Sequence, residues 1–316
     1  MADRPSRPLK VGAFIGLFDG FMDGRTMSWA DVSAMARHAE EIGFDSVWLP
    51  DHFLIPATPL PEPGGVWECG SMLAALAAVT SRVELGTLVL CTGFRNPTLI
   101  AKMADTIDEI SGGRLILGLG AGYFEPEYRA FGYPADHRSS RFAEALQIIS
   151  EFLRNGSIDF EGSYYQAHVD ALIPRGPRPN GPPIMVGSRG PKALRLLARF
   201  ADAWNTPLWI RNSRPDDLEP GMSLVDEACA EVGRDPASLE RTASIHWSAS
   251  GRPEDLPDWM RTRFGPPLTG DRDEIVEAFR AFARAGVSHV QVVVWPHTTA
   301  GLDAFRTILD ALDRGD

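Results

Sequence analysis

Asp51 and His52 are adjacent residues whose side chains could contact a ligand or move a proton. They follow Asp45–Pro50 (DSVWLP), a short apolar run that is typical of a buried strand. Histidine changes its protonation state near neutral pH, so His52 could donate or accept a proton, or ligate a metal ion. A structural histidine, hydrogen-bonded to a nearby carbonyl oxygen, is the alternative. The position directly after a strand favours a catalytic role for His52, with Asp51 as its neighbour.

A second stretch could bind phosphate. Gly187, Ser188, Arg189 and Gly190 come directly before a predicted helix that begins near Pro191. Glycines leave backbone N–H groups accessible, the serine adds a donor, and a helix N-terminus next to a cation attracts an anion. A plain helix-capping turn is the alternative. The local positive charge favours a phosphate site.

Small and aromatic residues suggest where a flat ligand could lie. Gly120, Ala121 and Gly122 end another predicted strand and leave room for close approach of a ring. Tryptophans near the strand ends are expected to divide between the core and a pocket. The residues assigned to the substrate pocket are Trp67, Tyr123, Trp204, Trp247 and Trp295.

The elements that must position these residues alternate between strands and helices along the whole chain. The predicted strands are Lys10–Leu17, Asp45–Pro50, Val83–Cys91, Arg114–Leu119, Pro183–Val186, Ala201–Asn205, Arg241–Ser248 and His289–Trp295. This α/β pattern predicts a (β/α)8 TIM barrel, in which catalytic residues lie at the carboxyl ends of the strands. An open doubly wound sheet is the alternative, but the first strand is not followed by GxGxxG.

The expected organisation is a single barrel domain over residues 1–316 with two insertions. Residues 53–68 follow the second strand, so they are expected to form a loop over the active site. Residues 155–182 precede the fifth strand and hold a Pro/Arg/Gly-rich run. Long irregular insertions of this kind are often functional.

Composition excludes several classes of function. The 316 residues carry 31 basic and 42 acidic side chains, a net charge of −11, which disfavours nucleic acid and anionic membranes as partners. No apolar run approaches the roughly 18 residues of a spanning helix. Three cysteines without a CxxC are typical of the reducing cytoplasm. The seven histidines lack tight ligand spacing, so no metal site is predicted, and a metal-dependent barrel hydrolase remains only an alternative.

Several motifs together carry a resemblance to a known family. They occur in the same order as in that family and are Ala77–Thr87, Arg95–Pro97, Ile110–Leu115, Gly118–Gly122, Pro183–Arg189 and Ala201–Asn205. The chain resembles the luciferase-like monooxygenase superfamily, from about Lys10 to its C-terminus. The resemblance implies a bacterial-luciferase-like barrel that binds a flavin or deazaflavin at the carboxyl ends of its strands.

Within the superfamily the chain is most similar to the group that uses the 8-hydroxy-5-deazaflavin coenzyme F-420, which shares the Asp51-His52-Phe53 ending. The implied function is hydride transfer between this coenzyme and a small organic substrate. The alternative is an FMN-dependent monooxygenase that uses O2 and reduced flavin from a partner reductase. A catalytically silent flavin-binding barrel is a further alternative. Relatives are often homodimers.

The resemblance also implies positions. Asp51 and His52 would lie against the ring, and a non-prolyl cis peptide is predicted at Leu88–Val89. The residues implied to bind the coenzyme are Asp51, Thr87, Leu88, Val89, Gly120, Ala121, Gly122, Gly187, Ser188, Arg189 and Gly190. One departure concerns the acid that sugar-phosphate dehydrogenases of this superfamily carry directly after the Gly-x-Gly stretch. Tyr123 stands there in this chain, with Glu125 and Glu127 downstream, and Glu125 could replace that acid only if the turn brings it inward.

The substitution Arg189→Ala is expected to weaken coenzyme binding, because it removes one positive charge from the predicted phosphate site. A charge-assisted hydrogen bond contributes about 1.5–3 kcal/mol, which corresponds to a loss of affinity of roughly 10-fold or more. Titration of the purified wild type and variant with the coenzyme measures the change. Unchanged affinity would count against the phosphate assignment.

Overall fold

The computed structural model describes residues 7–55, 64–188, 190–252, 254, 256, 261 and 264–315. Strands in this part of the chain are β1 (Lys10–Phe14), β2 (Ser46–Leu49), β3 (Leu54–Ile55), β4 (Gly64–Gly65), β5 (Glu84–Thr87), β6 (Leu90–Cys91), β7 (Leu115–Gly120), β8 (Ile158–Glu161), β9 (Gln166–Val169), β10 (Ile184–Gly187), β11 (Ala203–Pro207), β12 (Glu240–Ser248) and β13 (Val287–Trp295). The α-helices are α1 (Trp29–Ile42), α2 (Cys69–Val79), α3 (Pro97–Ser111), α4 (Glu125–Phe131), α5 (Arg138–Asn155), α6 (Pro191–Phe200), α7 (Gly221–Glu231), α8 (Arg272–Arg284) and α9 (Thr299–Arg314).

Eight parallel strands close into a barrel in the order β1-β2-β5-β7-β10-β11-β12-β13, and β13 pairs with β1. Helices follow the strands around the outside, so the predicted (β/α)8 TIM barrel is confirmed. The third predicted strand is divided into β5 and β6, which adds a short pairing to the carboxyl end of β7. The peptide bond between Leu88 and Val89, in the break between β5 and β6, is cis as predicted.

Successive side chains of each barrel strand alternate between two separate cores. The outward-pointing residues pack under the helices in one large cluster that includes Val11, Val47 and Leu117. The inward-pointing residues form a smaller cluster that includes Phe14, Trp48, Met185 and Val293. This parity decides which side chains can reach the mouth of the barrel.

Trp48 fills the lower part of the barrel interior. Its side chain is completely buried, and its indole Nε1 donates to Ser46 Oγ over 2.7 Å. Ser46 Oγ is also 2.7 Å from His289 Nε2 across the interior. A Cβ atom placed on Gly12 or Gly86 would overlap the indole, so the neighbouring strands carry glycine at this level.

The helix ends follow the local sequence. Ser28 caps α1 in a reciprocal capping box with Asp31, and Gly43 ends the helix in the left-handed conformation with φ of 106°. α6 begins with Pro191 at its first position, after Gly190 as the N-cap. No helix in the described part of the chain is long and apolar enough to span a bilayer.

The two long connections differ in where they are anchored on the barrel. β3 and β4 form a small antiparallel ladder above the carboxyl end of β2, and residues 56–63 between them lie outside the described residues. The second connection contains the antiparallel pair β8–β9 and leads into the amino end of β10. Its Arg178 donates to Asp108 and to the carbonyl oxygen of Leu115 at the start of β7. Arg178 therefore places the end of this connection at the amino ends of the strands. The turn of the β8–β9 hairpin lies instead against the first half of α5, where Glu144 accepts the backbone N–H groups of residues 163–165.

The substitution Gly86→Ala is expected to destabilise the barrel, because the new methyl group would overlap the buried Trp48 ring. Overpacking of this kind costs about 1–3 kcal/mol of unfolding free energy. Urea unfolding measures the loss, with Gly190→Ala as the matched control, since Gly190 has φ of −75° and no heavy atom within 4 Å of an added Cβ. Equal destabilisation by the two substitutions would contradict the packing argument.

Candidate functional site

A cavity of about 1070 Å³ opens at the carboxyl ends of the strands. One wall consists of small residues, Gly120, Ala121, Gly122 and Gly187, next to the cis bond at Leu88–Val89. The opposite side is apolar and aromatic and includes Phe14, Phe18, Phe21, Ile55, Trp209, Phe264 and Val293. One wall of the cavity therefore lacks large side chains, and the opposite wall is apolar.

His52 lies at the edge of this cavity and is held by a buried carboxylate. Its Nδ1 is 2.9 Å from Oε2 of Glu127, whose side chain is 1% exposed. Oε1 of Glu127 accepts the backbone N–H groups of Phe53 and Leu54 over 2.6 and 2.9 Å. The carboxylate can only accept a hydrogen bond, so Nδ1 carries the hydrogen and donates it, which leaves Nε2 as the acceptor nitrogen of the neutral tautomer.

Asp51 also lines the cavity, but its carboxylate is occupied by other groups. Arg95 donates to both carboxylate oxygens over 2.7 and 2.9 Å, and the backbone N–H of Cys91 donates over 2.8 Å. Burial acts to lower the pKa of Arg95, but its hydrogen bonds and charge contacts with Asp51 and Glu68 outweigh burial and raise the pKa. The Asp51 carboxylate is completely buried and accepts from groups of the protein, so Asp51 fixes the edge of the cavity through Arg95 and Cys91.

The wall of small residues is supported from behind by the segment around the cis bond. A Cβ on Gly120 would come within 2.6 Å of Val89 Cγ2, and one on Gly187 within 3.1 Å of Val89 Cγ1. Thr87 is completely buried and donates through Oγ1 to the carbonyl oxygen of Gly118 over 2.6 Å. Leu88 and Val89 line the cavity, whereas Thr87 is buried below the cavity wall.

The predicted phosphate site lies at the start of α6. Ser188, Gly190 and Lys192 line the cavity there, and Arg195 lies one turn further along the same helix. The carbonyl oxygen of Ser188 accepts the indole N–H of Trp204 over 2.8 Å, which fixes the turn. Arg189 lies outside the described residues, so its place in this site stays a sequence-based prediction.

The structure does not bring most of the predicted pocket aromatics to the cavity. Trp204 and Trp247 occupy outward-pointing positions; Trp204 lies against Gly221 and Trp247 against Phe305. Trp295 packs edge-on against Phe21, with ring centroids 5.9 Å apart. Trp67 is 46% exposed and donates to the carbonyl oxygen of Met27.

Two predictions concerned the turn after β7. Tyr123 does line the cavity, with its ring 5.4 Å from that of His52. Glu125 is exposed and pairs with Arg129 one turn along α4, so the turn does not bring it inward. Glu127, two residues later, is the acid that points to the site, because the 3.6-residue period of α4 turns it toward the barrel.

Sequence reasoning also missed the aromatic wall opposite the small residues. Trp209 lines the cavity, and its position just after the carboxyl end of β11 is the feature of the sequence that could have indicated this. His246 lies on the same face of β12 as Ser244, whose hydroxyl donates to Asn205 inside the barrel. Strand parity would have placed His246 in the barrel mouth. Phe264 carries no signal in sequence, because it lies beyond the regular elements.

The described residues contain no group of three or more His, Cys, Asp or Glu side chains that could hold a metal ion. The carboxylates that line the cavity, Asp51 and Glu127, are each engaged by cationic or N–H donors. The donor set that a metal-dependent barrel hydrolase needs is therefore missing from this part of the chain.

The pH dependence of stability gives a test of the network around Asp51. Burial of Glu68 raises its pKa, but hydrogen bonds from Ser71 and Arg95 outweigh burial and lower the pKa to about 2. The stabilising contribution of this carboxylate is fully present above the unfolded-state pKa near 4.5 and is lost as the pH falls toward 2. The difference in melting temperature between the wild type and Glu68→Gln should be larger at pH 7 than at pH 3.

Thermal unfolding at both pH values measures this difference. The matched control is Glu109→Gln, since Glu109 lies on the exposed face of α3. If the melting temperatures of the wild type and Glu68→Gln differ by the same amount at pH 7 and at pH 3, the assigned pKa shift of Glu68 is contradicted.

Comparisons with known proteins agree with this geometry. A family model described as luciferase-like monooxygenase matches residues 9–267. Phthiodiolone/phenolphthiodiolone dimycocerosates ketoreductase of Mycobacterium bovis is 34% identical, over 76% of this chain and 67% of the relative. An F-420-dependent glucose-6-phosphate dehydrogenase of Amycolatopsis mediterranei is 37% identical, over 76% of this chain and 70% of the relative.

A solved structure gives the same picture of the fold. An F-420-dependent secondary alcohol dehydrogenase, in complex with an F-420–acetone adduct, matches with a TM-score of 0.78 at 21% identity, over 96% of this chain and 99% of that chain. The structural likeness shows the barrel, and the match to the family model covers most of the sequence. The chain belongs to the luciferase-like monooxygenase family.

Proposed function

We propose that this protein is an oxidoreductase that uses coenzyme F-420 to interconvert a ketone and a secondary alcohol on an uncharged, largely apolar substrate. The observation that carries the proposal is the pairing of His52 with buried Glu127 at the edge of a cavity with one wall of small residues and one apolar wall. Two relatives support it by their names, one a ketoreductase and one an F-420-dependent dehydrogenase. The secondary alcohol dehydrogenase of the same fold holds its coenzyme as an adduct with acetone.

The residues present fit a flat ring with a phosphorylated side chain. Gly120, Ala121 and Gly122 leave one wall without large side chains, and Val89 would support the ring from behind. A cavity of about 1070 Å³ exceeds that needed for one small ligand, so it can hold a coenzyme ring and a substrate together. Ser188 and Lys192 would hold the phosphate at the start of α6. When bound, coenzyme F-420 supplies the hydride chemistry.

His52 performs the proton transfer that must accompany movement of a hydride. In alcohol oxidation its Nε2 accepts the hydroxyl proton, and in ketone reduction the protonated ring returns that proton to the carbonyl oxygen. Glu127 fixes the tautomer and orients the ring, and it stabilises the positive charge that develops on the imidazole. General acid–base help of this kind contributes about 10²–10⁴-fold to the rate.

The cavity favours an uncharged substrate. The cationic side chains among its described lining residues, Lys192 and Arg195, both belong to α6 at the proposed phosphate end. The side opposite the small residues carries Phe14, Phe18 and Trp209 instead. A sugar phosphate would find no counter-charge among the described residues there, and Tyr123 stands where a catalytic Glu was expected for such substrates.

The proposal includes a cellular setting. We place the protein in the cytoplasm, which suits its three free, buried cysteines. A reductase or dehydrogenase that regenerates the coenzyme is the expected functional partner, and a homodimer is the expected assembly. An FMN-dependent monooxygenase remains the alternative on the same barrel, and it would need a flavin reductase in place of that partner.

Parallel titration of the purified protein with coenzyme F-420 and with FMN, together with metal analysis, tests the proposal. Tight binding of F-420 with weak binding of FMN is the expected result. Selective binding of FMN would support the monooxygenase alternative. Stoichiometric metal with neither ring bound would overturn the proposal.

The substitution Glu127→Gln separates proton transfer from coenzyme binding. A glutamine amide facing Nδ1 would act as a donor, so the ring would change tautomer and Nε2 would lose its acceptor role. We expect alcohol oxidation to slow by about 10²-fold or more, and His52→Ala to slow it at least as much, with the dissociation constant of the coenzyme within a few-fold of wild type.

Steady-state kinetics with isopropanol as the test alcohol, and fluorescence titration with F-420, give the two readouts. His168→Ala is the matched control, because His168 is exposed on the β8–β9 hairpin and pairs there with Asp159 and Glu161. Full activity of Glu127→Gln would remove the role of the pair.

A further inference from the structure

His246 is a buried histidine in the cavity wall that the proposed proton transfer does not use. It lies near the carboxyl end of β12, is 4% exposed, and lines the cavity. Its ring lies between two aromatic rings, with centroids 5.8 Å from Trp209 and 4.8 Å from Phe264. It therefore belongs to the apolar wall, opposite the small residues.

The ring of His246 is left with an unmet hydrogen-bonding group. Its Nδ1 is buried and has no hydrogen-bond partner in the part of the chain that the structure describes. The backbone, by contrast, is satisfied on both sides, since its N–H donates to Ser213 Oγ and its carbonyl oxygen accepts from Leu268. A buried polar atom without a partner costs about 1–3 kcal/mol, so a Phe or Leu would suit this wall better on stability alone.

The ring is also neutral in the working pH range. Burial lowers the pKa of His246 to about 3, so the imidazole presents one N–H donor and one nitrogen acceptor rather than a positive charge. The rings packed against it, Trp209 and Phe264, carry no charge. A neutral oxygen or N–H group of a ligand matches this environment, whereas a phosphate or carboxylate does not.

We propose that His246 is a substrate-binding residue that hydrogen-bonds a second, uncharged polar group of the substrate, at a distance from the carbon that exchanges the hydride. The inference rests on the proposed function for the place of the reacting carbon beside His52. It adds that the natural substrate is bifunctional: an apolar frame with a ketone or alcohol at one end and a neutral hydroxyl, carbonyl or amide at the other. The substrate thus brings a hydrogen-bonding group to a neutral imidazole in the apolar wall.

A series of matched ketones tests this assignment. The probes are 4-phenylbutan-2-one and its three ring-hydroxylated isomers, which differ only in the position of one neutral hydroxyl. Calorimetry gives their dissociation constants for the protein saturated with oxidised F-420, and reduction rates with reduced F-420 give kcat/KM. We expect at least one hydroxylated isomer to bind about 10-fold more tightly than the parent, the effect of one buried hydrogen bond.

Substitutions then assign the preference to the ring. In His246→Phe the ratio of the dissociation constants of the parent ketone and the hydroxylated isomer should fall to about 1. The parent ketone itself should bind within 2-fold of its affinity for the wild type. His246→Leu gives the same test if the larger ring disturbs folding, and His246→Gln should keep part of the preference because its amide still hydrogen-bonds. Val293→Ala is the matched control on the same wall, where trimming should weaken all four ketones by a similar factor and leave the preference unchanged.

Two results would overturn the proposal. One is a wild-type protein without preference for any hydroxylated isomer, as expected if the His246 ring makes no hydrogen bond to the substrate. The other is a structural role, in which both apolar variants melt several degrees lower and lose affinity for all four ketones alike. If F-420 fails to bind, calorimetry on the protein without coenzyme still measures the preference for the hydroxylated isomer. A failure of the proposed function can therefore be told apart from a failure of the His246 assignment.

Discussion

The indole of Trp48 in the barrel interior is the packing constraint on which the site depends. A closed barrel of eight strands must fill its axis with side chains, and one indole at this level leaves space only for glycine at positions 12 and 86. Its hydrogen bond to Ser46, which continues to His289, fixes the ring in one orientation. Above this floor the strands carry Gly120 and Gly187, so the interior opens into the cavity.

Two buried carboxylates organise the mouth of the cavity, and they do so in different ways. Asp51 is held by the Arg95 guanidinium and a backbone N–H, so its charge is compensated within the protein. Glu127 is held by two backbone N–H groups and by the ring of His52. The Asp51–Arg95 pair therefore forms a fixed edge of the site. The Glu127–His52 pair holds an imidazole ring at the cavity, and the proposed function gives this ring the proton transfer.

Much of this architecture could be predicted from sequence because it depends on local patterns. Apolar runs and helical periods gave the order of the strands, and the position of Asp51-His52 after a strand placed both residues at the barrel mouth. Side-chain direction was harder. Trp204 and Trp247 lie near strand ends, but a shift of one residue in a strand turns a side chain from the cavity to the helices. The choice between Glu125 and Glu127 depended in the same way on the phase of a helix, which the sequence of a turn does not determine.

The small β3–β4 ladder anchors both ends of the loop that follows β2. Leu54–Ile55 and Gly64–Gly65 close the base of the connection, and Glu68 joins Arg95 immediately behind it, on the same guanidinium that holds Asp51. The contacts that hold His52, from Glu127 to the ring and to the backbone N–H groups of Phe53 and Leu54, lie outside the stretch between these anchors. The anchoring of His52 and the sequence of this loop are therefore separate features of the barrel, and a substitution in residues 56–63 removes none of the contacts that orient the imidazole.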